Sequence, residues 1–158
     1  MTETRICKIG SGDIATLIHL GELGKLSPWT AQNYRDELGN PHSIMLRLQG
    51  PDNQLIAFVV GRVIPAPDLP DSVDAEIYNI AVEEGFRRHG HAQTLLDTFF
   101  ERARGSRVRR IWLEVRESNA PAINLYERNG FQTLTRRHGF YSNPQEDALL
   151  MRLDLAAG

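Results

Sequence analysis

The chain has 158 residues, 41% of them apolar and 24% charged, a composition typical of one globular domain. Its net charge of -2 provides no global field for binding nucleic acid or an acidic membrane, and its one cysteine, Cys7, excludes a disulfide framework and a thiolate zinc site. No apolar run approaches the ~20 residues of a membrane span, and Met1 to Lys8 lacks the apolar stretch of a secretory signal. We therefore expect one cytoplasmic domain over residues 1–158.

The first half of the chain predicts two helices and three strands. Thr4 to Ile9 alternates like a strand, and Ser11-Gly12-Asp13 can cap a short helix that carries Ile14, Leu17 and Ile18 at helical spacing. A second helix opens at Ser27-Pro28-Trp29-Thr30, with Thr30 as its N-cap, and ends near Leu38 before Gly39-Asn40-Pro41. A hairpin of strands Ser43 to Leu48 and Leu55 to Val63 follows, with its turn at Gly50 to Asn53.

The second half follows a proline-rich loop, Pro65 to Asp71, which is too short to link two domains. The pattern predicts strands at Ala75 to Val82, Arg110 to Val115, Phe131 to Arg136 and Ala148 to Leu155, and a helix at Asn119 to Asn129 closed by Gly130. Another helix has one buried stripe, formed by Ala92, Leu95, Leu96, Phe99, Phe100 and Ala103. This order predicts an α+β fold with a mixed, mainly antiparallel sheet, a parallel centre and helices on both faces.

A basic turn, Arg87-Arg88-His89-Gly90-His91-Ala92, follows a strand and begins the helix that has the buried stripe. Helix N-termini present unpaired N–H groups and partial positive charge, and the two arginines add charge-assisted donors, so the turn suits a phosphate-bearing cofactor. The alternative interpretation is a plain basic cap on a surface helix. Neither a Rossmann nor a Walker glycine pattern is present.

Two further residues are candidates for proton transfer. Glu114 interrupts an apolar strand, where alternation places it with Trp112 on one face, and a half-buried carboxylate suits a general base. Its alternative role is that of a strand-end glutamate paired with an arginine. Tyr126 follows the N-cap Asn119 and Pro121 on a helix, where tyrosine is more often a core residue than a catalyst.

Several segments, in this order along the chain, together resemble the GNAT superfamily of N-acetyltransferases, and within it the ribosomal-protein-alanine (RimI-type) family. They are Glu76-Ile77-Tyr78-Asn79-Ile80-Ala81-Val82, the basic turn, Trp112-Leu113-Glu114-Val115-Arg116, residues 118–127 and Asn129-Gly130-Phe131. The segment 27–30 and the closing Glu146-Asp147-Ala148-Leu149-Leu150-Met151 resemble that family too. The resemblance spans nearly the whole chain and implies the acyl-CoA N-acyltransferase fold.

The resemblance also implies residue roles. Ile80, Ala81 and Val82 would present backbone groups to the acetyl and pantetheine portion of acetyl-CoA, and Asn119 would contact this co-substrate. Glu114 would accept a proton and Tyr126 would donate one. The pyrophosphate would lie against the basic turn, formed by Arg87, Arg88, His89, Gly90, His91, Ala92 and Gln93.

The implied reaction is direct acyl transfer to a primary amine through a tetrahedral intermediate. The RimI resemblance favours a protein N-terminal α-amine as the acceptor, and its family name indicates a ribosomal protein. An α-amino group has a pKa of about 8, so a modest base suffices. A small-molecule amine or a lysine side chain is the alternative acceptor, and a non-catalytic acyl-CoA-binding module is the alternative class. We expect no covalent intermediate at Cys7.

The sequence allows two roles for each of two charged segments. Asp68, Asp71, Asp74 and Glu76 either attract a basic peptide or form a solvated loop. The arginines between Arg102 and Arg110 either contact RNA or form a solvated edge, and we expect no direct nucleic-acid binding. His89 and His91 lack acidic or thiol partners at a metal-ligand spacing, so we expect no metal.

Overall fold

The computed structural model describes residues 4–24, 26 and 28–155, so Ser27 of the predicted helix opening lies outside the described residues. The helices are α1 (Ile14–Leu23), α2 (Ala31–Leu38), α3 (His91–Gly105) and α4 (Ala120–Arg128). The strands are β1 (Arg5–Lys8), β2 (Ser43–Gln49), β3 (Leu55–Pro65), β4 (Val73–Val82), β5 (Val108–Arg116), β6 (Gln132–Tyr141) and β7 (Glu146–Asp154). Within these ranges, no helix combines the length and apolarity that crossing a membrane requires.

The seven strands form one sheet in the order β1-β2-β3-β4-β5-β7-β6. Strands β4 and β5 are parallel. Helix α3 lies between them in the chain and forms the crossover connection that a parallel pair requires. The pairs β1–β2, β2–β3, β5–β7 and β6–β7 are antiparallel. The predicted mixed, mainly antiparallel sheet with a parallel centre is therefore confirmed.

The contacts divide the chain into two compact units. The first contains the described residues up to Arg62 together with Tyr78–Arg102. Its core includes Leu17 of α1, Tyr34 of α2 and Phe58 of β3. Thr30 caps α2 as predicted, since its hydroxyl accepts from the Asn33 N–H at 3.1 Å. Inside this unit the Asn79 amide donates to the Tyr34 hydroxyl at 3.2 Å, and burial raises the pKa of Tyr34 to about 12.

The second unit contains Val63–Ile77 and the described residues from Ala103 onward. Along β5, Ile111, Leu113 and Val115 are buried, whereas Trp112 and Glu114 are half-buried, as the predicted alternation requires. Helix α4 starts after Asn119 and ends at the C-cap Asn129, which Gly130 follows with φ of 96°. That left-handed backbone explains the glycine.

Strand β6 is longer than predicted. The sequence indicates a strand ending at Arg136, whereas the structure continues it to Tyr141. The register shifts between Arg137 and Tyr141, and Gly139 has φ of 61°. Gly139 therefore does not end β6 but lies within an irregular part of it, and pairing with β7 resumes after this glycine at Tyr141.

Part of the acidic loop (Asp68, Asp71, Asp74 and Glu76) pairs with part of the arginine segment (Arg102 to Arg110). The interpretation of these charges as solvated is therefore wrong for the residues that pair. Asp68 accepts from Arg109 and from Arg110, whose Nη1 lies 3.1 Å from Oδ2. Asp74 is 0% exposed and accepts from Arg110 at 3.1 Å and from the Trp112 indole N–H at 2.8 Å. The guanidinium of Arg110 holds the pKa of Asp68 below its ordinary value. These charges fasten the loop to β5.

Candidate active site

The basic turn forms the start of α3 in the first unit. The Gly90 carbonyl accepts from the Thr94 N–H at 3.0 Å, which makes Gly90 the residue before the first helical turn. The N–H groups of His91 and Ala92 therefore have no carbonyl acceptor within the helix. Arg88 and Gly90 have φ of 67° and 77°, and a Cβ added to Gly90 would meet nothing within 4 Å. The backbone there is open to a ligand, as a phosphate site requires.

The side chains of this turn hold it in place. Arg87 and Arg88 are exposed, and the Arg87 Nε donates to the Val82 carbonyl at 3.1 Å. His89 Nδ1 lies 2.9 Å from the Arg87 carbonyl, which can only accept, so Nδ1 carries a proton. The His89 and His91 rings stack with centroids 5.9 Å apart. Partial burial and the charge of His89 lower the pKa of His91, which favours a neutral imidazole.

The strand that precedes the turn also lies in the first unit. Ile80, Ala81 and Val82 are half-buried at the end of β4, and the Glu83 N–H donates to the Ile56 carbonyl at 2.8 Å. That bond fixes the direction in which the chain leaves the strand. At the other end of the turn, the side chain of Gln93 donates to Asp97 at 2.8 Å along α3.

Glu114 lies in the second unit on the half-buried face of β5. Its Oε1 accepts from Arg137 Nη1 at 2.9 Å. Its Oε2 is buried and has no hydrogen-bond partner among the described residues. Both interpretations of this residue thus have support, because it is paired with an arginine yet keeps one carboxylate oxygen unused, and an unused oxygen is what a proton acceptor requires.

Asn119 and Tyr126 belong to the α4 segment of the same unit. Asn119 Oδ1 accepts from the Ala122 N–H at 3.3 Å, which confirms it as the N-cap of α4. Tyr126 is buried and packs against Phe131, with ring centroids 5.6 Å apart. Burial, together with nearby Tyr141, raises the pKa of Tyr126 above its ordinary value of 10.0. The hydroxyl therefore keeps its proton at neutral pH.

The structure also shows contacts of two arginines to which the sequence assigned no role. Arg137 holds Glu114, and Arg116 stacks over the Tyr141 ring with its guanidinium carbon 4.3 Å from the centroid. Arg116 also donates to the Pro144 carbonyl at 2.8 Å and to Glu146 at 3.3 Å. Both arginines contact residues that are more than 20 positions away in the sequence, so no local spacing predicts these contacts. Of the two, only Arg116 stands in a segment that carries the family resemblance, Trp112-Leu113-Glu114-Val115-Arg116.

The predicted site residues divide between the two units. Those from Ile80 to Gln93 all belong to the first, and Glu114, Asn119 and Tyr126 belong to the second. Across residues 4–24, 26 and 28–155, His, Cys, Asp and Glu form no group of three suited to a metal ion.

Comparison with known proteins identifies the class. The model of the acetyltransferase (GNAT) family matches residues 15–131, so the chain belongs to the GNAT family of acetyltransferases. It is an acetyl-CoA-dependent N-acetyltransferase, as the resemblance in its sequence predicted.

The most informative relatives narrow the comparison further. The chain is 34% identical over 131 residues to the [ribosomal protein bS18]-alanine N-acetyltransferase of Salmonella typhimurium, covering 82% of each protein. It matches the crystal structure of the ribosomal-protein-S18-alanine N-acetyltransferase from Escherichia coli with a TM-score of 0.82 and 27% identity, covering 99% and 96% of the two chains. Arabidopsis thaliana NAA60 in complex with acetyl-CoA shares the fold, with a TM-score of 0.86 at 21% identity over 97% of this chain and 99% of that one.

Proposed function

We propose that this enzyme acetylates the N-terminal α-amine of a protein, with a ribosomal protein that begins with alanine as the leading acceptor. The name of the Salmonella relative, which is similar over 82% of both chains, is the observation that carries this proposal. Because the leading acceptor is a ribosomal protein, we also propose that the enzyme acts in the cytoplasm. Because one family model runs from residue 15 to 131, through parts of both units, we propose that the chain acts as a single domain.

The basic turn would hold the pyrophosphate of acetyl-CoA. The N–H groups at the start of α3, the exposed Arg87 and Arg88, and the open space beside Gly90 suit a doubly charged group that needs close backbone contact. His89, His91, Ala92 and Gln93 complete this turn. Backbone groups of Ile80, Ala81 and Val82 would bind the pantetheine and acetyl portion, and Asn119 would contact the co-substrate with the atoms that its cap does not use.

Glu114 and Tyr126 would handle the two protons of the reaction. Glu114 Oε2 accepts a proton from the acceptor amine, directly or through a water, while the amine nitrogen bonds to the thioester carbonyl carbon. Tyr126 gives its hydroxyl proton to the departing sulfur as the carbon–sulfur bond breaks, and solvent then returns a proton from Glu114 to Tyr126. Bound acetyl-CoA supplies the activated acetyl group, and no enzyme side chain becomes acylated.

The acceptor is tested by thiol release from acetyl-CoA against a panel of peptides and small amines. We expect release with alanine-starting peptides whose N-terminus is free, and none with the same peptides blocked at that position. A second series would carry a free lysine behind a blocked N-terminus. Release with lysine peptides or small amines alone would replace the proposed acceptor class. Binding of acetyl-CoA without any release would contradict the proposed acceptor and leave two explanations, an acceptor outside the panel or a non-catalytic module.

The proton-donor role of Tyr126 predicts a loss of turnover in Tyr126→Phe. We expect kcat to fall by about 100-fold, the lower end of the range for a general acid, because the thiolate would leave unprotonated. The phenylalanine ring keeps the contact with Phe131, so the thermal unfolding midpoint should change little. Since burial raises the pKa of Tyr126 above 10.0, kcat of the unmodified enzyme should not decline between neutral pH and pH 10.0 through loss of this proton. Unchanged turnover in the variant would rule the role out.

A further inference from the structure

Arg137 reaches Glu114 from a strand that is not adjacent to β5. The sheet order places β7 between β5 and β6, so the two backbones are about 10 Å apart. Ala148 of β7 lies opposite Arg116 on one side and opposite Arg137 on the other, while Glu114 lies opposite Leu150. Cross-strand partners and alternate residues share a face, so Arg137 and Glu114 lie on one face of the sheet.

The alanine at position 148 leaves room for this crossing. Ala148 is fully buried and has the smallest side chain that L-residues offer, so the long arginine can pass over β7 at this point. Arg137 is also held from its other side, because its guanidinium carbon lies 5.4 Å from the centroid of the Phe140 ring. The guanidinium thus has two fixed contacts, although half of the side chain is exposed.

The carboxylate of Glu114 is asymmetric as a result. Oε1 is occupied by Arg137 at 2.9 Å, whereas the buried Oε2 has no partner among the described residues. A free glutamate side chain rotates among several rotamers, and a base that is misplaced even slightly transfers a proton poorly. A hydrogen bond to one oxygen fixes which oxygen receives the proton.

We propose that Arg137 is a positioning residue for the acyl-transfer reaction, holding Oε1 of Glu114 so that Oε2 stays available as the proton acceptor. This inference rests on the proposed role of Glu114 as the base. Arg137 itself takes no proton. Its positive charge also disfavours a second cation nearby, which promotes deprotonation of an acceptor ammonium that approaches Glu114.

The neighbouring Arg136 provides a matched control. Its side chain is 48% exposed and pairs with Glu117 at 2.9 Å, whereas that of Arg137 is 52% exposed and pairs with Glu114 at 2.9 Å. We compare Arg137→Ala, Arg137→Lys and Arg136→Ala by steady-state kinetics with acetyl-CoA and the best acceptor of the panel. Arg137→Ala should lower kcat about tenfold, the scale of one lost hydrogen bond to a charged group, with both KM values changed by no more than about twofold.

The other variants separate positioning from a structural role. Arg137→Lys should recover part of the lost kcat, since it restores the charge and one donor, and Arg136→Ala should keep the parent kcat. Millimolar guanidinium chloride should raise the activity of Arg137→Ala more than the same concentration of sodium chloride does. The thermal unfolding midpoints of the two alanine variants should be similar, because each removes an arginine that is about half exposed and pairs with a glutamate at 2.9 Å.

Equal kcat values for Arg137→Ala and Arg136→Ala would overturn the inference, as would a loss that appears only in KM. Glu114→Gln separates this result from the proposed function. If Glu114→Gln keeps its turnover, the base assignment fails and the inference fails with it. If Glu114→Gln is inactive while Arg137→Ala turns over like the parent, the base assignment stands and only the positioning role is wrong.

Discussion

Glutamine in place of Glu114 is expected to lower kcat by about 10²- to 10⁴-fold, the range that a general base contributes. The amide has the shape of the carboxylate, and its oxygen can still accept from Arg137. In the parent, Arg137 Nη1 lies 2.9 Å from Glu114 Oε1. The amide cannot take a proton from the amine. The loss should therefore appear in kcat at saturating acceptor, whereas the affinity for acetyl-CoA, measured by isothermal titration, should match that of the parent.

Glu117→Gln is the control for this substitution. Glu117 follows the same strand and is 40% exposed, and it also pairs with an arginine, Arg136, at 2.9 Å. The same chemical change there should leave turnover unaltered. A Glu114→Gln enzyme within about tenfold of the parent, less than a base supplies, would show that the proton leaves by another route.

Replacing Asp74 by alanine is expected to cost about 3–5 kcal/mol of unfolding free energy, the cost of breaking a buried ion pair. Asp74 is 0% exposed and accepts from Arg110 and Trp112, while Arg109 Nε lies 3.4 Å from its Oδ1. Its removal leaves the Arg110 guanidinium, only 12% exposed, and the indole N–H without this acceptor. Urea denaturation followed by circular dichroism would measure the change.

Asp68→Ala tests whether the burial of Asp74 is the cause of the expected loss of unfolding free energy. Asp68 pairs with the same two arginines, but its side chain is 58% exposed, so water can replace the carboxylate. This variant should unfold at nearly the urea concentration of the parent. If the two variants lost equal stability, the contribution would come from the charge pairing of the loop and not from the burial of Asp74.

The fold was largely predictable because its elements carry periodic patterns. The stripe of α3 and the alternation along β5 follow from burial of one face, and Thr30 and Asn119 mark helix starts through their side-chain oxygens. Strand β6 lacks such a pattern, since Gln132 to Phe140 is exposed at every residue. Its end could not be placed because hydrogen bonds to β7, and not burial, define it.

The candidate site divides in the same way. The basic turn was predictable because its residues are contiguous and the helix start after Gly90 is local. The partner of Glu114 was not, because it depends on β6 lying two strands away in the order β5-β7-β6, which no local pattern encodes. The burial of Asp74 was missed for a related reason, since an aspartate beside a proline-rich loop resembles a solvent-exposed residue until its arginine and tryptophan partners are known.

The two outermost strands of the sheet affect how the protein behaves at high concentration. Strand β1 has only four residues, and β6 carries Arg136, Arg137 and His138 before the irregular backbone at Gly139. Short edges, cations and irregular backbone each hinder the addition of a strand from another molecule. Neither edge therefore offers a long, flat and uncharged template, so the sheet is protected at both ends from growth into intermolecular β-structure.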